Sequence, residues 1–177
     1  IASVDRLMSS RFRCRTKAAA IDPIDTPNDN RRAHISLQYS DAPATTARAL
    51  NHFGKHLGIA FQLMDDLLDY DGTTCELGKN IGDDLAEGKM TLPLIVALRQ
   101  GSEQDAALIR SAVNNPGTTD AMPAILKAVN TAGGLQYTLD QALAQRSQAL
   151  SALSALSDSP FKHALTQLIE FSVNRQT

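Results

Sequence analysis

The sequence feature that most constrains the fold is a long run of apolar residues at helical spacing that begins near Ala44. Apolar side chains recur there at steps of three and four residues: Leu50, Phe53, Leu57, Ala60, Phe61, Met64, Leu67 and Leu68. This spacing matches one face of an α-helix and differs from the two-residue alternation of a half-buried strand. We therefore predict one helix from about Ala44 to Tyr70 whose apolar face is buried.

The remainder of the chain continues the helical pattern. The predicted helices run from Thr91 to Gly101, from a Ser102 cap to about Asn114, from an Asp120 cap to Thr131, from Leu135 to Leu156, and from a Ser159 cap to Arg175. Alternation of apolar and polar residues is nowhere sustained, and no repeat of fixed period is visible. The predicted fold class is all-α.

Composition excludes several classes of function. With 43% apolar and 20% charged residues, the chain has the make-up of a folded domain, and it contains no apolar stretch long enough to span a membrane. A net charge of -2 gives no electrostatic basis for binding nucleic acid. The two cysteines, Cys14 and Cys75, lie far apart and in no metal-ligand spacing, so we expect a reducing, cytoplasmic setting.

Residues 1–43 differ from the rest of the chain. An arginine-rich opening that includes Arg11 and Arg13 is followed by a turn-rich run with Pro23 and Pro27, and neither shows helical periodicity. A solvated loop or the edge of a truncated product is favoured there over an organelle-targeting segment. We expect residues 1–43 to be poorly specified and residues 44–177 to form the helical domain.

Three aspartates at the end of the first predicted helix form a candidate metal site. Asp65 and Asp69 are four residues apart and Asp66 and Asp69 three apart, so the spacing predicts one acidic patch about 6 Å long. Such crowding at the end of an apolar helix is unfavourable without a cation, and hard oxygen ligands suit Mg²⁺. The alternative is a solvated acidic helix face, which the helix C-terminus and the buried neighbours disfavour.

The polar stretch after these aspartates is a candidate anion-binding loop. It spans residues 71–88, contains four glycines and is longer than most loops without a function. Lys79 and Lys89 lie beside glycines, an arrangement that suits contact with a diphosphate. A solvated charged loop is the alternative, and it would leave the upstream carboxylates unexplained.

Together these motifs resemble the second aspartate-rich motif and following loop of the trans-isoprenyl diphosphate synthases. The matching segments are Phe61-Gln62, Asp65-Asp66-x-x-Asp69, Gly78-Lys79-x-x-Gly82-x-Asp84 and Gly88-Lys89-x-Thr91-Leu92-Pro93. The sequences of these segments most resemble those of the long-chain, octaprenyl-type members that make quinone side chains. The likeness extends from about Leu50 to Arg175. It implies an isoprenoid-synthase helical bundle, truncated at the N-terminal side.

The resemblance implies a prenyltransferase that condenses isopentenyl diphosphate with an allylic diphosphate, with farnesyl diphosphate as the expected primer, in an enzyme that forms a homodimer. It also implies a role for each matching residue: Asp65, Asp66 and Asp69 as catalytic ligands of Mg²⁺, Lys79 as a catalytic and substrate-binding lysine, Lys89 and Gln62 as substrate-binding residues, and Asp84 as support for the loop.

Departures from the family pattern leave other interpretations open. No Asp-Asp-x-x-Asp motif precedes Asp65, so half of the family's metal site is not matched. The chain is interpreted first as an incomplete synthase. A noncatalytic helical subunit that associates with a complete synthase is the second interpretation, and a helical interaction domain with a solvated acidic patch is the third.

Overall fold

A computed structural model describes residues 43–71, 82–115, 117 and 120–174. These residues form helices with the following bounds: α1 Ala44–Leu68, α2 Asp83–Ala86, α3 Leu92–Gln100, α4 Glu103–Asn114, α5 Met122–Thr131, α6 Gly134–Leu153 and α7 Pro160–Val173. No strand occurs in this part of the chain. The all-α prediction is confirmed, whereas the expectation for residues 1–43 lies almost wholly outside the described residues.

Two helix starts follow the predicted capping chemistry. The Ser102 hydroxyl accepts a hydrogen bond from the backbone N–H of Asp105, whose carboxylate accepts one from the Ser102 N–H, which forms a capping box. At α7, Ser159 caps the N–H of Lys162. These local hydrogen bonds explain why both starts were predictable from sequence.

The structure corrects other helix boundaries. Asp120 does not cap α5, because the helix begins at Met122 after Ala121, with a proline in its first turn. The first helix ends at Leu68 instead of Tyr70, and α6 ends at Leu153 instead of Leu156. The short helix α2 was not predicted at all, since four residues are too few to show a period.

The larger core lies between α1, α6 and α7, with α3 closing one side. Helices α1 and α6 pack along each other more extensively than any other pair in the described residues. The buried members of this larger core are Phe53, Ala60, Leu63, Met64, Leu92, Val96, Ala142, Ala149, Leu153, Ile169 and Val173. The alanines allow the helix backbones to approach closely, and the apolar contacts fix which side of α1 faces inward.

A second core joins α2, α3, α4 and α5. Its buried members are Tyr70, Leu85, Leu94, Ala97, Ile109, Ala112, Ile125 and Val129. Tyr70 lies just beyond the end of α1, so the aspartates of the last turns of α1 are located where the two cores meet. No helix in the described part of the chain has the length and apolar character needed to cross a bilayer.

Gly134 allows α6 to begin in contact with α3. A Cβ at this position would lie 2.7 Å from the backbone oxygen of Pro93 and 3.2 Å from Val129. We expect Gly134→Ala to lower the free energy of unfolding by about 1–3 kcal/mol, because backbone atoms cannot move aside as a flexible side chain would. Chemical denaturation monitored by circular dichroism measures this change.

Gly58→Ala is the matched control. It is also a helical glycine, but a Cβ there meets nothing within 4 Å. This variant is expected to raise the free energy of unfolding by about 0.5–1 kcal/mol through helix propensity alone. Equal effects of the two substitutions would contradict the close approach of α6 and α3.

Candidate metal and diphosphate site

The last turns of α1 carry Gln62 and the three predicted aspartates in different environments. Asp66 is only 5% exposed, whereas Asp65 and Asp69 are half-buried and Gln62 is exposed. Gln62 Nε2 donates a hydrogen bond of 2.9 Å to Asp66 Oδ1. Since the apolar face of α1 is fixed against α6, Asp66 is turned partly inward and the other two carboxylates remain accessible.

Asp69 accepts hydrogen bonds from the residues at the start of α2. The backbone N–H of Gly82 donates to the Asp69 carbonyl oxygen at 2.9 Å, and the N–H of Asp84 donates to Asp69 Oδ2 at 3.2 Å. Gly82 has a φ of 83°, which favours glycine, and the Met122 side chain occupies the space that a Cβ would need. Asp69 is therefore bonded through both its main chain and its side chain to the start of α2.

Asp84 and Lys89 form the next part of the site. Lys89 Nζ donates to Asp84 Oδ1 at 2.7 Å and to Glu87 Oε2 at 2.9 Å. The hydrogen bonds to Asp84 and Glu87 raise the pKa of the lysine, so the ammonium is charged at any physiological pH. An ammonium has three N–H donors, and these two ion pairs use two of them.

Two of the aspartates are destabilised as anions. Burial, followed by the charge of Asp84, raises the pKa of Asp69 to about 6, although the N–H of Asp84 partly opposes this. Burial also raises the pKa of Asp66, which the Gln62 hydrogen bond counteracts. Even with these hydrogen bonds, both carboxylates remain costly to ionise. A bound cation would supply the positive charge that the surrounding protein groups do not.

The donor set at this site suits Mg²⁺, which takes one or two carboxylates and completes its shell with water and phosphate oxygens. In the described residues, no three His, Cys, Asp or Glu side chains converge as a group able to hold a metal ion. The three predicted ligands are neighbours along α1, and Asp66 and Asp69 are also near Asp84. Lys79 lies outside the described residues.

A buried polar pair behind the carboxylates was not predicted. The Thr91 hydroxyl donates a hydrogen bond of 3.2 Å to the Tyr70 hydroxyl, and both residues are buried. This bond joins the end of α1 to the start of α3. The sequence signal was present, because Thr91 belongs to the Gly88-Lys89-x-Thr91 segment, but no pattern indicated its partner.

Comparison with protein families identifies a match over the middle of the chain. The family model described as polyprenyl synthetase matches residues 32–131, which is more than half of the sequence. The chain is 45% identical over 128 residues to the octaprenyl diphosphate synthase of Haemophilus influenzae, an alignment that covers 72% of this chain and 39% of that protein.

Solved structures with the same fold include two polyprenyl synthases. A decaprenyl diphosphate synthase from Rhodobacter capsulatus superposes with a TM-score of 0.75 at 32% identity, covering 84% of this chain and 46% of that one. A polyprenyl synthase from Caulobacter crescentus CB15, complexed with calcium and isoprenyl diphosphate, superposes with a TM-score of 0.68 at 36% identity. The superposition covers 77% of this chain and 42% of that one. The chain therefore spans less than half the length of the relatives that it matches.

The pKa of Asp69 predicts a pH-dependent stability. Because the folded-state pKa of about 6 exceeds the ordinary 3.8, the folded chain binds this proton more tightly than the unfolded chain does. The stabilisation by protonated Asp69 is complete below the ordinary pKa and is lost as the pH rises through about 6. We expect Asp69→Asn to raise the free energy of unfolding by roughly 1–2 kcal/mol at neutral pH and to change it little in acid.

Denaturant unfolding of the metal-free protein across this pH range measures the effect. Asp140→Asn, which removes an exposed carboxylate on α6, is the control and should leave the pH dependence as in the wild type. An Asp69→Asn variant whose stability follows the wild-type pH dependence would contradict the destabilised carboxylate.

Proposed function

Since the chain belongs to the polyprenyl synthetase family, we propose that it is the part of a prenyltransferase that holds an allylic diphosphate for condensation with isopentenyl diphosphate. The observation that carries this proposal is the hydrogen-bonded connection from Asp69 through Asp84 to Lys89. It places acidic groups suited to a divalent cation beside an ammonium suited to a phosphate oxygen. A merely solvated acidic patch would not need this connection.

In the proposed reaction, the bond between C1 of the allylic substrate and its diphosphate oxygen breaks, and the electron pair leaves with the diphosphate. The double bond of isopentenyl diphosphate then attacks C1 to form a carbon–carbon bond, and a proton is lost to restore an alkene. Negative charge develops on the leaving diphosphate, so donors already in position at its oxygens lower the barrier.

Lys89 is the described residue best placed to be such a donor. Its ammonium is already oriented by Asp84 and Glu87, and its side chain is 43% exposed, so a diphosphate can reach it. Lys79 is proposed as a second donor on the basis of its sequence match. Gln62 is exposed on α1 and hydrogen-bonded to Asp66, so we propose that it lines the same surface as the aspartates.

Asp65, Asp66 and Asp69 are the proposed ligands of Mg²⁺. When bound, the ion would neutralise part of the charge on the leaving diphosphate. Support comes from the oxygen donors and from the raised pKa values of Asp66 and Asp69. The structure of the Caulobacter relative contains calcium and isoprenyl diphosphate, which supports the use of a divalent cation.

We further propose a long-chain polyprenyl diphosphate, a precursor of quinone side chains, as the product, with farnesyl diphosphate as the primer. The sequence likeness to an octaprenyl diphosphate synthase supports the product class. A cytoplasmic location is proposed from the cysteine usage, since two widely spaced cysteines give no disulfide framework.

The test measures both turnover and binding with the purified 177-residue chain. Incorporation of labelled isopentenyl diphosphate into an extractable product is followed with Mg²⁺ and farnesyl diphosphate, and calorimetry measures the dissociation constant of farnesyl diphosphate with and without Mg²⁺. We expect Asp65→Ala and Lys89→Ala each to raise that constant by about tenfold or more, because each removes a charged contact.

Asp140→Ala is the control for loss of a carboxylate and should bind as the wild type does. Turnover that Asp65→Ala abolishes would support a complete catalytic site. Binding that depends on Mg²⁺ without turnover would support a half-site that another polypeptide completes. Wild-type protein that neither binds nor turns over the substrate would contradict the proposal.

A second candidate function is a helical subunit that associates with another synthase chain or with a second copy of itself. One face of α7 exposes apolar side chains, with Phe161 82%, Phe171 69% and Leu168 46% accessible. Exposed apolar surface of this kind is typical of protein interfaces. The chain also spans less than half of its relatives, so the helices that they add have no counterpart in the described residues.

Light scattering after size exclusion tests this candidate. We expect the wild type to have a mass above the 19.0 kDa of a single chain and the double variant Phe161→Ser, Phe171→Ser to shift toward that value. Leu143→Ser, which changes an exposed leucine on α6, should leave the mass unchanged. A wild-type mass of one chain would contradict self-association.

A further inference from the structure

Thr91 lies at the N-cap position of α3, but its side chain does not cap that helix. A threonine at this position ordinarily accepts a hydrogen bond from a backbone N–H of the first helical turn. Within the described residues, the Thr91 side chain makes no such bond, although its φ of -85° and ψ of 165° are those of an N-cap residue. Its hydroxyl donates to the Tyr70 hydroxyl at 3.2 Å instead. The first turn of α3 therefore needs another acceptor.

Asp66 provides that acceptor from α1. The backbone N–H of Leu92, the first residue of α3, donates a hydrogen bond to the Asp66 carboxylate. Tyr70 follows Asp66 by four residues, so the two side chains lie on the same side of the chain at the end of α1. Two consecutive residues of α3 thus bond to two side chains that are one turn apart. Asp66, Thr91 and Tyr70 are all at most 5% exposed, so water competes little for either bond.

The two bonds together restrict the Asp66 carboxylate more than either bond does alone. The bond from Leu92 sets the distance between α3 and Asp66, and the bond between Thr91 and Tyr70 opposes a shift of α3 along α1. Metal ligands that are oriented by groups behind them bind their ion more tightly, because less freedom is lost on binding.

We propose that Thr91 is a positioning residue for the metal site, which acts through Tyr70 and Leu92 on Asp66. This inference rests on the proposed function, in which Asp66 is a ligand of Mg²⁺. The Thr91 hydroxyl holds the start of α3 in place against the end of α1. The Leu92 N–H then holds the Asp66 carboxylate in one orientation.

Conservative variants at Thr91 test the inference. Thr91→Val keeps the shape of the side chain and removes the hydroxyl, whereas Thr91→Ser keeps the hydroxyl. Calorimetry with farnesyl diphosphate over a series of Mg²⁺ concentrations gives the Mg²⁺ midpoint, which is the concentration at which binding is half-maximal. We expect Thr91→Val to raise this midpoint by about three- to tenfold, and Thr91→Ser to keep it within about twofold of the wild type.

Tyr70→Phe removes the other hydroxyl of the pair, so it tests the same bond independently of whether Thr91→Val folds. It should raise the Mg²⁺ midpoint by a similar factor. The double variant Thr91→Val, Tyr70→Phe should bind no more weakly than either single variant, because both changes break one hydrogen bond. Effects that multiply in the double variant would show two independent roles and overturn the role of this bond.

Thr138→Val separates positioning from the general loss of a buried hydroxyl. Thr138 is also buried, but its hydroxyl donates to the Gly134 carbonyl oxygen at 2.8 Å, within α6. Denaturant unfolding of the metal-free variants measures the stability that each change removes. We expect Thr138→Val to lose stability and to keep the wild-type Mg²⁺ midpoint.

The outcomes distinguish this inference from the proposed function. Wild-type binding that requires Mg²⁺, with a midpoint that Thr91→Val leaves unchanged, overturns the role of Thr91 and leaves the diphosphate site standing. A Thr91→Ser variant as weak as Thr91→Val overturns it as well, because the hydroxyl is then not the group that matters. Wild-type protein whose farnesyl diphosphate binding does not respond to Mg²⁺ overturns the proposed metal ligands and this inference together.

Discussion

The rotational position of α1 determines the geometry of the rest of the structure. Phe53, Ala60 and Leu63 must be buried against α6, where Ala142 and Ala149 allow close approach. When one side of a helix is fixed in this way, the residues on its opposite side are fixed as well. The surface containing Gly58, Gln62 and Asp65 is therefore a direct consequence of how the core is packed. Asp66, which lies between the two sides, is buried for the same reason.

The arrangement of the carboxylates at the end of α1 lowers the stability of the fold. Burial raises the pKa of both Asp66 and Asp69, and the donors that partly offset it are a side-chain amide and several backbone N–H groups. The ammonium of Lys89 forms its ion pairs with Asp84 and Glu87 instead. Chains that retain unfavourable carboxylates in a fixed arrangement generally do so where a ligand supplies the missing charge.

Most of the fold was accessible from sequence because its determinants are local. Helical period located α1, and the Ser102 and Ser159 caps located two other starts to within a residue. What sequence did not reveal depends on contacts between distant residues. The start of α2 is held by hydrogen bonds to Asp69, and α5 begins after Ala121 and not at Asp120. Spacing predicted a site at Asp65, Asp66 and Asp69, whereas the pairing of Lys89 with Asp84 requires the fold.

The charges at the site also imply an order of binding for the proposed reaction. The charge of Asp84 raises the cost of ionising both Asp66 and Asp69, and Lys89 is already engaged by two carboxylates. A diphosphate approaching this arrangement alone meets repulsion at short range, which a single shared ammonium does not reverse. A divalent cation bound first, at the proposed ligands Asp65, Asp66 and Asp69, would offset part of that repulsion. The N–H of Lys89 that neither Asp84 nor Glu87 uses would then be available to a phosphate oxygen.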